Sequence, residues 1–341
     1  MAECQAIGLD YGGTGVRAYT LGPDDEPFLI DRIPLVDPTG SLQERTHRLL
    51  RASGLVIGAV VHAVDGSDIG NGVYHSFKAD EDIDPALTAE VFGCPSEGMN
   101  DVEAIAWNLG GLAADQLVKL VDNNRNVSPL FPNRSTVAAT VSSGYGTALR
   151  RIVGDYEQIT SLHGGHVGFQ ALGVEEDAIL QGIRQARKSN TDKDSDIVTV
   201  EEVIAGAQVM RIAEILTPSY ADKLESTHND TETDFGLIIA QDATLRGVKD
   251  AIRIMQLRAG VLGTAVRDSS AQHEVEAFAL TGGSLPGLLP WLKDQNGLFA
   301  RRIRATRPSH AYTPPDVFAI PDGSGAQGAL RRAAQLMDAV R

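Results

Sequence analysis

Three glycine-rich turns, each following a short apolar run and lying far apart in the chain, constrain the fold more than any other feature of this sequence. The first falls within residues 6–22. Apolar residues lead to Asp10, the chain passes through Tyr11-Gly12-Gly13-Thr14-Gly15, and Val16, Ala18 and Tyr19 then alternate with Arg17 and Thr20. Strand patterning on both sides of a tight turn predicts a β-hairpin. With no Cβ atoms at Gly12, Gly13 and Gly15, backbone N–H groups are free to line one concavity and hold phosphate oxygens, and the Thr14 hydroxyl adds a side-chain donor. Asp10, at the end of the first strand, stands where a carboxylate holds a Mg²⁺ ion through water against those phosphates. Glycines that serve only the geometry of the turn are the alternative for this stretch taken alone.

The second turn, Ser142-Ser143-Gly144-Tyr145-Gly146-Thr147-Ala148, follows a strand expected over 136–141. The third, Gly282-Gly283-Ser284-Leu285-Pro286, follows one over 277–281. Around them the pattern predicts a third strand of the first hairpin at 28–34, a polar helix over 41–52 and a buried strand over 54–61, whose unbroken apolar run suits a sheet covered on both faces. Residues 65–74 read as a glycine-containing loop and 85–92 as a helix. A further helix starts at Asn100 or Asp101, either of which caps a first turn well. Helices also follow around 175–187, from Glu201 with Thr199 as its cap, over 244–268, and at the C-terminus after 323–328; 188–196 reads as a charged, solvated loop. Strands alternating with helices, with glycine turns at strand ends, indicate an α/β architecture that binds ligands at the carboxyl ends of its strands.

A chain of 341 residues exceeds the usual size of a single core, so two domains are expected. The formal net charge of −15 repels a nucleic-acid backbone or an anionic membrane, and no basic stripe offsets it. Nucleic acid is therefore not an expected partner, whereas a polyphosphate whose charge is met locally by Mg²⁺ and oriented amides is compatible with an acidic protein. Cys4 and Cys94 make no disulfide framework, and no zinc-type cluster of Cys and His is present. Without a third ligand, His163 and His166 are not expected to hold a metal. A reducing, cytoplasmic setting fits. The N-terminus has no basic region ahead of an apolar core, and no apolar run approaches the roughly 20 residues that span a bilayer.

Taken together, the turns and the segments between them resemble the bacterial glucokinase family, within the actin-like and sugar-kinase ATPase superfamily, over nearly the whole chain. Asp10-Tyr-Gly-Gly-Thr-Gly-Val-Arg17 is similar to that family's first phosphate hairpin, Gly144-Tyr-Gly-Thr-Ala148 to its second phosphate loop, and Gly282-Gly283-Ser284-Leu-Pro286 to the segment beside the adenosine. Asn100-Asp101-Val-Glu-Ala-Ile-Ala106 resembles the sugar-binding and catalytic segment, Gly164-Gly165-His166-Val167 with Glu175-Glu176-Asp177-Ala178 matches in order and spacing, and Glu201 falls at a further sugar-binding carboxylate. The resemblance implies a two-domain actin-like (ribonuclease H-like) ATPase fold with its active-site cleft between the domains. The small domain would hold 1–108 plus about 326–341, and the large one 109–325. It implies ATP-dependent phosphorylation of a hexose at the 6-hydroxyl, with glucose as the expected sugar, ATP and Mg²⁺ as cofactors, Gly12, Gly13, Thr14, Gly144, Gly146, Gly282 and Gly283 on the nucleotide, and Asp10 on the metal. A homodimer is allowed for.

Moving a γ-phosphoryl group to an alcohol needs in-line positioning, neutralised phosphate charge and a base within reach of the hydroxyl. Asp101 is the expected base, and an ordinary carboxylate pKa suffices if most proton transfer comes late. Asn100 both donates and accepts, which suits adjacent sugar hydroxyls, while Glu201 only accepts. A plain helix cap is the alternative for Asn100-Asp101, and a carboxylate favoured by the helix dipole is the alternative for Glu201. Three departures from the family pattern stand out. Gly15 replaces a usual Asn, Tyr145 and Ala148 replace smaller or glycine residues and are expected to crowd the phosphates, and His163 replaces the Glu of Glu-Gly-Gly-His. Imidazole offers one acceptor when neutral and none when protonated, so His163 changes how sugar hydroxyls are held, with His166 beside it as a further partner. A catalytically weak relative that senses sugar or nucleotide is the rival expectation. A DNA-binding repressor is disfavoured, since only nine residues precede Asp10.

Overall fold

The computed structural model describes residues 4–12, 15–22, 26–35, 39–123, 134–154, 156–189, 197–228, 234–305 and 313–340. The strands are β1 (Gln5–Gly12), β2 (Gly15–Leu21), β3 (Pro27–Pro34), β4 (Ile57–Val64), β5 (Gly66–Gly70), β6 (Val73–Ser76), β7 (Glu81–Ile83), β8 (Ser96–Asn100), β9 (Val118–Val121), β10 (Thr136–Val141), β11 (Tyr145–Val153), β12 (Tyr156–Leu162), β13 (Ala277–Thr281) and β14 (Asp316–Ala319). The α-helices are α1 (Leu42–Ala52), α2 (Pro85–Phe92), α3 (Asp101–Asn108), α4 (Val174–Ser189), α5 (Glu201–Ile204), α6 (Val209–Leu216), α7 (Pro218–Thr227), α8 (Phe235–Thr244), α9 (Lys249–His273), α10 (Leu285–Leu292), α11 (Leu298–Arg304) and α12 (Ser324–Val340).

Two mixed sheets share one plan. The first runs β3-β2-β1-β4-β8 and the second β12-β11-β10-β13-β14-β9. Each begins with an antiparallel hairpin, β1–β2 or β10–β11, whose first strand then pairs in parallel with the next strand inward, β4 or β13. Those inner strands are apolar at nearly every position, Ile7, Leu9, Val60 and Val61 in one sheet and Phe278 and Leu280 in the other, because helices cover both faces. Helix α3 lies between the sheets and serves both. Its Val102, Ile105 and Ala106, three and four residues apart, pack on Ala138, Ala148 and Ala279 of the second sheet, while Ala104 on its other side joins Ala6, Val61, Leu330 and Ala333. Helix α12 thus returns the chain to β1, β4 and α3. The close α3–α12 crossing requires Gly328, since a Cβ there would overlap the carbonyl oxygen of Ala104.

Several expected elements are displaced. The loop expected over 65–74 is instead the first hairpin of a small antiparallel sheet, β5-β6-β7, which runs on to Ile83. Its first turn is Asn71-Gly72, with φ of 57° and 75°, the Asn-Gly turn that matches strand twist. Strand β4 begins three residues later than expected, after Gly54 leaves α1 at φ 70°. Thr199 does not cap α5; Val200 holds that position without a side-chain bond, and Glu202 instead accepts from Thr199 N (2.9 Å) and Oγ1 (3.1 Å). Lys188 continues α4, and the rest of the expected charged loop, 190–196, lies outside the described residues. Among the described residues no helix is long and apolar enough to cross a membrane.

Candidate active site

Helix α3 starts at the carboxyl end of β8, directly over the gap between the sheets, and its first turn is fixed by a reciprocal cap. Asn100 Oδ1 accepts from Val102 N (3.0 Å), and Glu103 Oε2 accepts from Asn100 N (3.0 Å). Glu103 reaches across with its other oxygen to Ser161 N (3.0 Å), which ties α3 to β12. Asn100 Nδ2 donates to Gly66 O (2.9 Å). Asn100 is therefore the cap that the sequence allowed for, with one amide hydrogen and one lone pair left for a ligand. A cleft of about 570 Å³ opens at this point, lined by Asn100, Asp101, Gly144, Gly146, His163, His166 and Glu201. Seven of the residues expected to bind or react thus face one space.

Asp101 is half-buried at the first position of α3. Burial pushes its carboxyl up to about 8, the neighbouring charges of Asp65 and Asp10 add to this, and the backbone N–H groups of Val102 and Asp101 only partly oppose it. The chemistry required no more than an ordinary carboxylate pKa, and this site holds the carboxyl well above it. Asp65 itself was not singled out in the sequence. It lines the same cleft at the carboxyl end of β4, and its carboxyl is raised by burial with Lys78 opposing. An acid at a parallel strand's end is the signal that marks it, obscured when β4 is placed three residues early.

Glu201 is wedged between two turns. Tyr145 N donates to its Oε1 (3.3 Å), and a Cβ at Gly144 would stand 2.6 Å from that same oxygen. A Cβ at Gly165 would overlap Tyr145 O, so the first turn needs glycine beside the Glu201 carboxylate and the second needs it to pass the Tyr145 carbonyl. His163 and His166 flank Gly164-Gly165 in a 3₁₀ turn, their ring centroids 6.2 Å apart. Tyr145 and Ala148, expected to crowd the second turn, are both buried: Tyr145 joins the core on one face of the second sheet and Ala148 the contact with α3 on the other.

The expected nucleotide residues divide. Gly13 and Thr14 lie outside the described residues. Gly12, Gly282 and Gly283 do not line the cleft. The third turn is nevertheless stapled to the second: Ser284 N donates to Val141 O (3.0 Å) and Ser284 Oγ to Ser142 O (3.2 Å). Gly15 sits at φ 152°, where a Cβ would overlap Ile33 O, so the Asn usual in the family has no room on this backbone. Asp10 is buried at the end of β1 with Arg17 Nη2 2.7 Å from its Oδ2. Burial raises its carboxyl, Arg17 opposes this, and Asp322 and Asp65 add to the rise. Among the described residues no three acidic, His or Cys side chains are placed to share a metal. One buried carboxylate with acidic neighbours still suits Mg²⁺, which keeps most of its waters and takes few protein ligands.

The family model described as Glucokinase matches residues 88–314. No curated protein sequence matches significantly. Among solved structures, glucokinase from Balamuthia mandrillaris in complex with glucose is 18% identical, with a TM-score of 0.79 over 97% of this chain and 94% of that one. Glucokinase from an Antarctic psychrotroph is 19% identical, with a TM-score of 0.73 over 98% and 99%. A ROK family glucokinase from Streptomyces griseus in complex with glucose and AMPPNP is 16% identical, with a TM-score of 0.64 over 97% and 98%. The fold is thus the actin-like ATPase fold of sugar kinases, and with one model matching most of its length the chain belongs to the glucokinase family.

Proposed function

We propose that this protein transfers the γ-phosphoryl group of ATP to the 6-hydroxyl of a hexose, with glucose as the first candidate. The observation that carries the reading is Asp101, set by the α3 cap in a cleft beside Asn100, Glu201, His163 and His166. The sugar oxygen attacks the γ-phosphorus, its proton passes to the Asp101 carboxylate, and ADP leaves with the bonding pair. Asn100 and Glu201 orient the sugar, with His163 and His166 on its other side. The second and third glycine turns and Gly12 hold the nucleotide. Asp10 would hold Mg²⁺ through water, and the ion would supply charge neutralisation at the phosphates. Residues 1–108 with about 326–341, and residues 109–325, act as two lobes, whose closure excludes water and limits wasteful hydrolysis, in the cytoplasm.

The test is ADP release from Mg·ATP against glucose, mannose, fructose and N-acetylated hexoses. The reading predicts turnover that depends on a hexose. Glucose-dependent turnover shows that His163 serves where the family has Glu, and a preference for another hexose makes His163 the specificity-setting residue. Silence with every sugar, while sugar or ATP still binds, overturns the kinase assignment in favour of a sensor.

A further inference from the structure

Glu201 reaches the cleft with little support of its own. Among the described residues its side chain accepts one hydrogen bond, from Tyr145 N at 3.3 Å. It opens α5, a helix of four residues whose cap, Val200, contributes no side-chain bond. A single turn does not hold its shape unaided, since isolated helices shorter than about 12–15 residues are marginal in water. Something outside α5 must therefore set the direction in which Glu201 points.

The next residue supplies it. Both carboxylate oxygens of Glu202 accept from Arg187 Nη2 on α4 (2.6 Å each), and Oε2 also accepts from Thr199 N (2.9 Å) and Oγ1 (3.1 Å). Arg187 Nη1 donates to Ile197 O (2.9 Å), so one guanidinium holds the chain on both sides of Thr199. The pair is largely shielded, with 14% of the Arg187 side chain and 20% of the Glu202 side chain exposed. Charge-assisted bonds of this kind are roughly twice as strong as neutral ones, and they strengthen away from water. Burial raises the Glu202 carboxyl, but the donors of Thr199 and Arg187 outweigh it and hold the group below its ordinary value.

Neither Glu202 nor Arg187 lines the cleft. Successive side chains leave a helix about 100° apart, so anchoring Glu202 to α4 also fixes the direction of Glu201. The clamped stretch holds the exit of the histidine turn as well: Val200 N donates to Val167 O (2.9 Å) and Phe169 N to Val198 O (2.7 Å). One ion pair behind the cleft thus braces the segments that carry Glu201 and His166.

We propose that Glu202 and Arg187 are positioning residues for sugar binding, which touch neither sugar nor nucleotide and act by holding Glu201 and the His163–His166 turn in the arrangement that receives the hexose. This rests on the reading of Glu201 and His166 as sugar residues.

The experiment measures KM for hexose and for ATP separately, with hexose binding read by calorimetry, on the whole chain. Glucose, mannose and fructose are the probes, and the one bound most tightly by wild type is carried forward. Glu202→Gln, which keeps the shape of the side chain but not its charge, is expected to raise hexose KM and Kd by about tenfold, as is Arg187→Met. KM for ATP stays within about twofold, because the clamp braces sugar residues only. The double variant is no worse than either single one, since the two side chains act as a unit. Arg187→Lys keeps the charge without the fork and falls between wild type and Arg187→Met. Arg253→Met, which breaks the ion pair of α4 with α9 at Glu175, leaves both KM values in place. Should Glu202→Gln fail to fold by circular dichroism, Arg187→Lys decides. An active wild type whose folded variants keep the same hexose KM, or lose sugar and ATP affinity alike, overturns the clamp and leaves the kinase reading standing. A wild type that binds hexose without turning it over overturns the kinase reading, and the calorimetric Kd values then decide the clamp. A wild type that neither binds nor turns over any of the three overturns both.

Discussion

Replacing Asp101 by Asn lowers kcat by about 100- to 10,000-fold with saturating sugar and Mg·ATP, the range expected when a positioned general base is removed. Sugar binding, measured separately by calorimetry, stays within a few-fold, because Asn100 and Glu201 keep their bonds to the α3 cap and to Tyr145 N. The same substitution stabilises the fold at alkaline pH. Asp101 has its carboxyl raised from 3.8 to about 8 in the folded chain, so the protonated form is favoured and its contribution is complete below the unfolded pKa. That contribution is lost as pH rises through 8. At about 1.4 kcal/mol for each pH unit separating the folded and unfolded values, the variant gains on the wild type between pH 4 and pH 8 by a few kcal/mol, then runs parallel to it. Denaturant midpoints across that range check it. A variant that is inactive yet no more stable at pH 9 than at pH 4, relative to wild type, would show that Asp101 is not held in this way.

The second large effect is structural and acts on the site from behind. Gly328→Ala places a methyl group on the carbonyl oxygen of Ala104, in the middle of α3. Backbone is on both sides, so no side chain can yield, and α12 must back away from α3. Overpacking of this kind costs about 1–3 kcal/mol, and more where nothing gives. Because α3 carries Asp101 at its first turn, kcat/KM falls with stability. Gly173→Ala is the control, since a Cβ there meets nothing within 4 Å and no left-handed φ is involved. Thermal melts and glucose kinetics on the two variants separate a helix-crossing requirement from a general cost of losing glycine.

What could be read from the sequence was what is local. The α1 capping box of Ser41 and Glu44, the Asn100 cap and both β-hairpins are short-range patterns, and each forms where the residues place it. The Asp10–Arg17 ion pair was legible too, since pairing Gly12 with Gly15 puts those residues directly opposite, though the hairpin was read only for phosphate and its metal ion. Even a local signal fails when composition outweighs it, as with Asn71-Gly72, read as loop because glycines surround it. The character of Asp101 was not legible. It depends on Asp65 and Asp10, brought in by β4 and β1 from distant parts of the chain, and on burial between two sheets. Nor did sequence reveal why Gly144 and Gly165 are both needed, since the reasons are the Glu201 carboxylate against the one and the Tyr145 carbonyl against the other.

The most direct test of the account is the pH dependence of kcat/KM for the preferred hexose, in wild type and in Asp65→Asn. A base held near 8 is protonated and idle in acid, so kcat/KM should rise tenfold per pH unit through neutrality and level off above about 8. Removing the Asp65 charge takes away a neighbour that raises Asp101, so the limb should move to lower pH and the variant should gain on wild type below neutrality. A profile flat from pH 6 to 9, or a limb that Asp65→Asn leaves in place, would contradict the assignment of Asp101 as the group that accepts the sugar's proton.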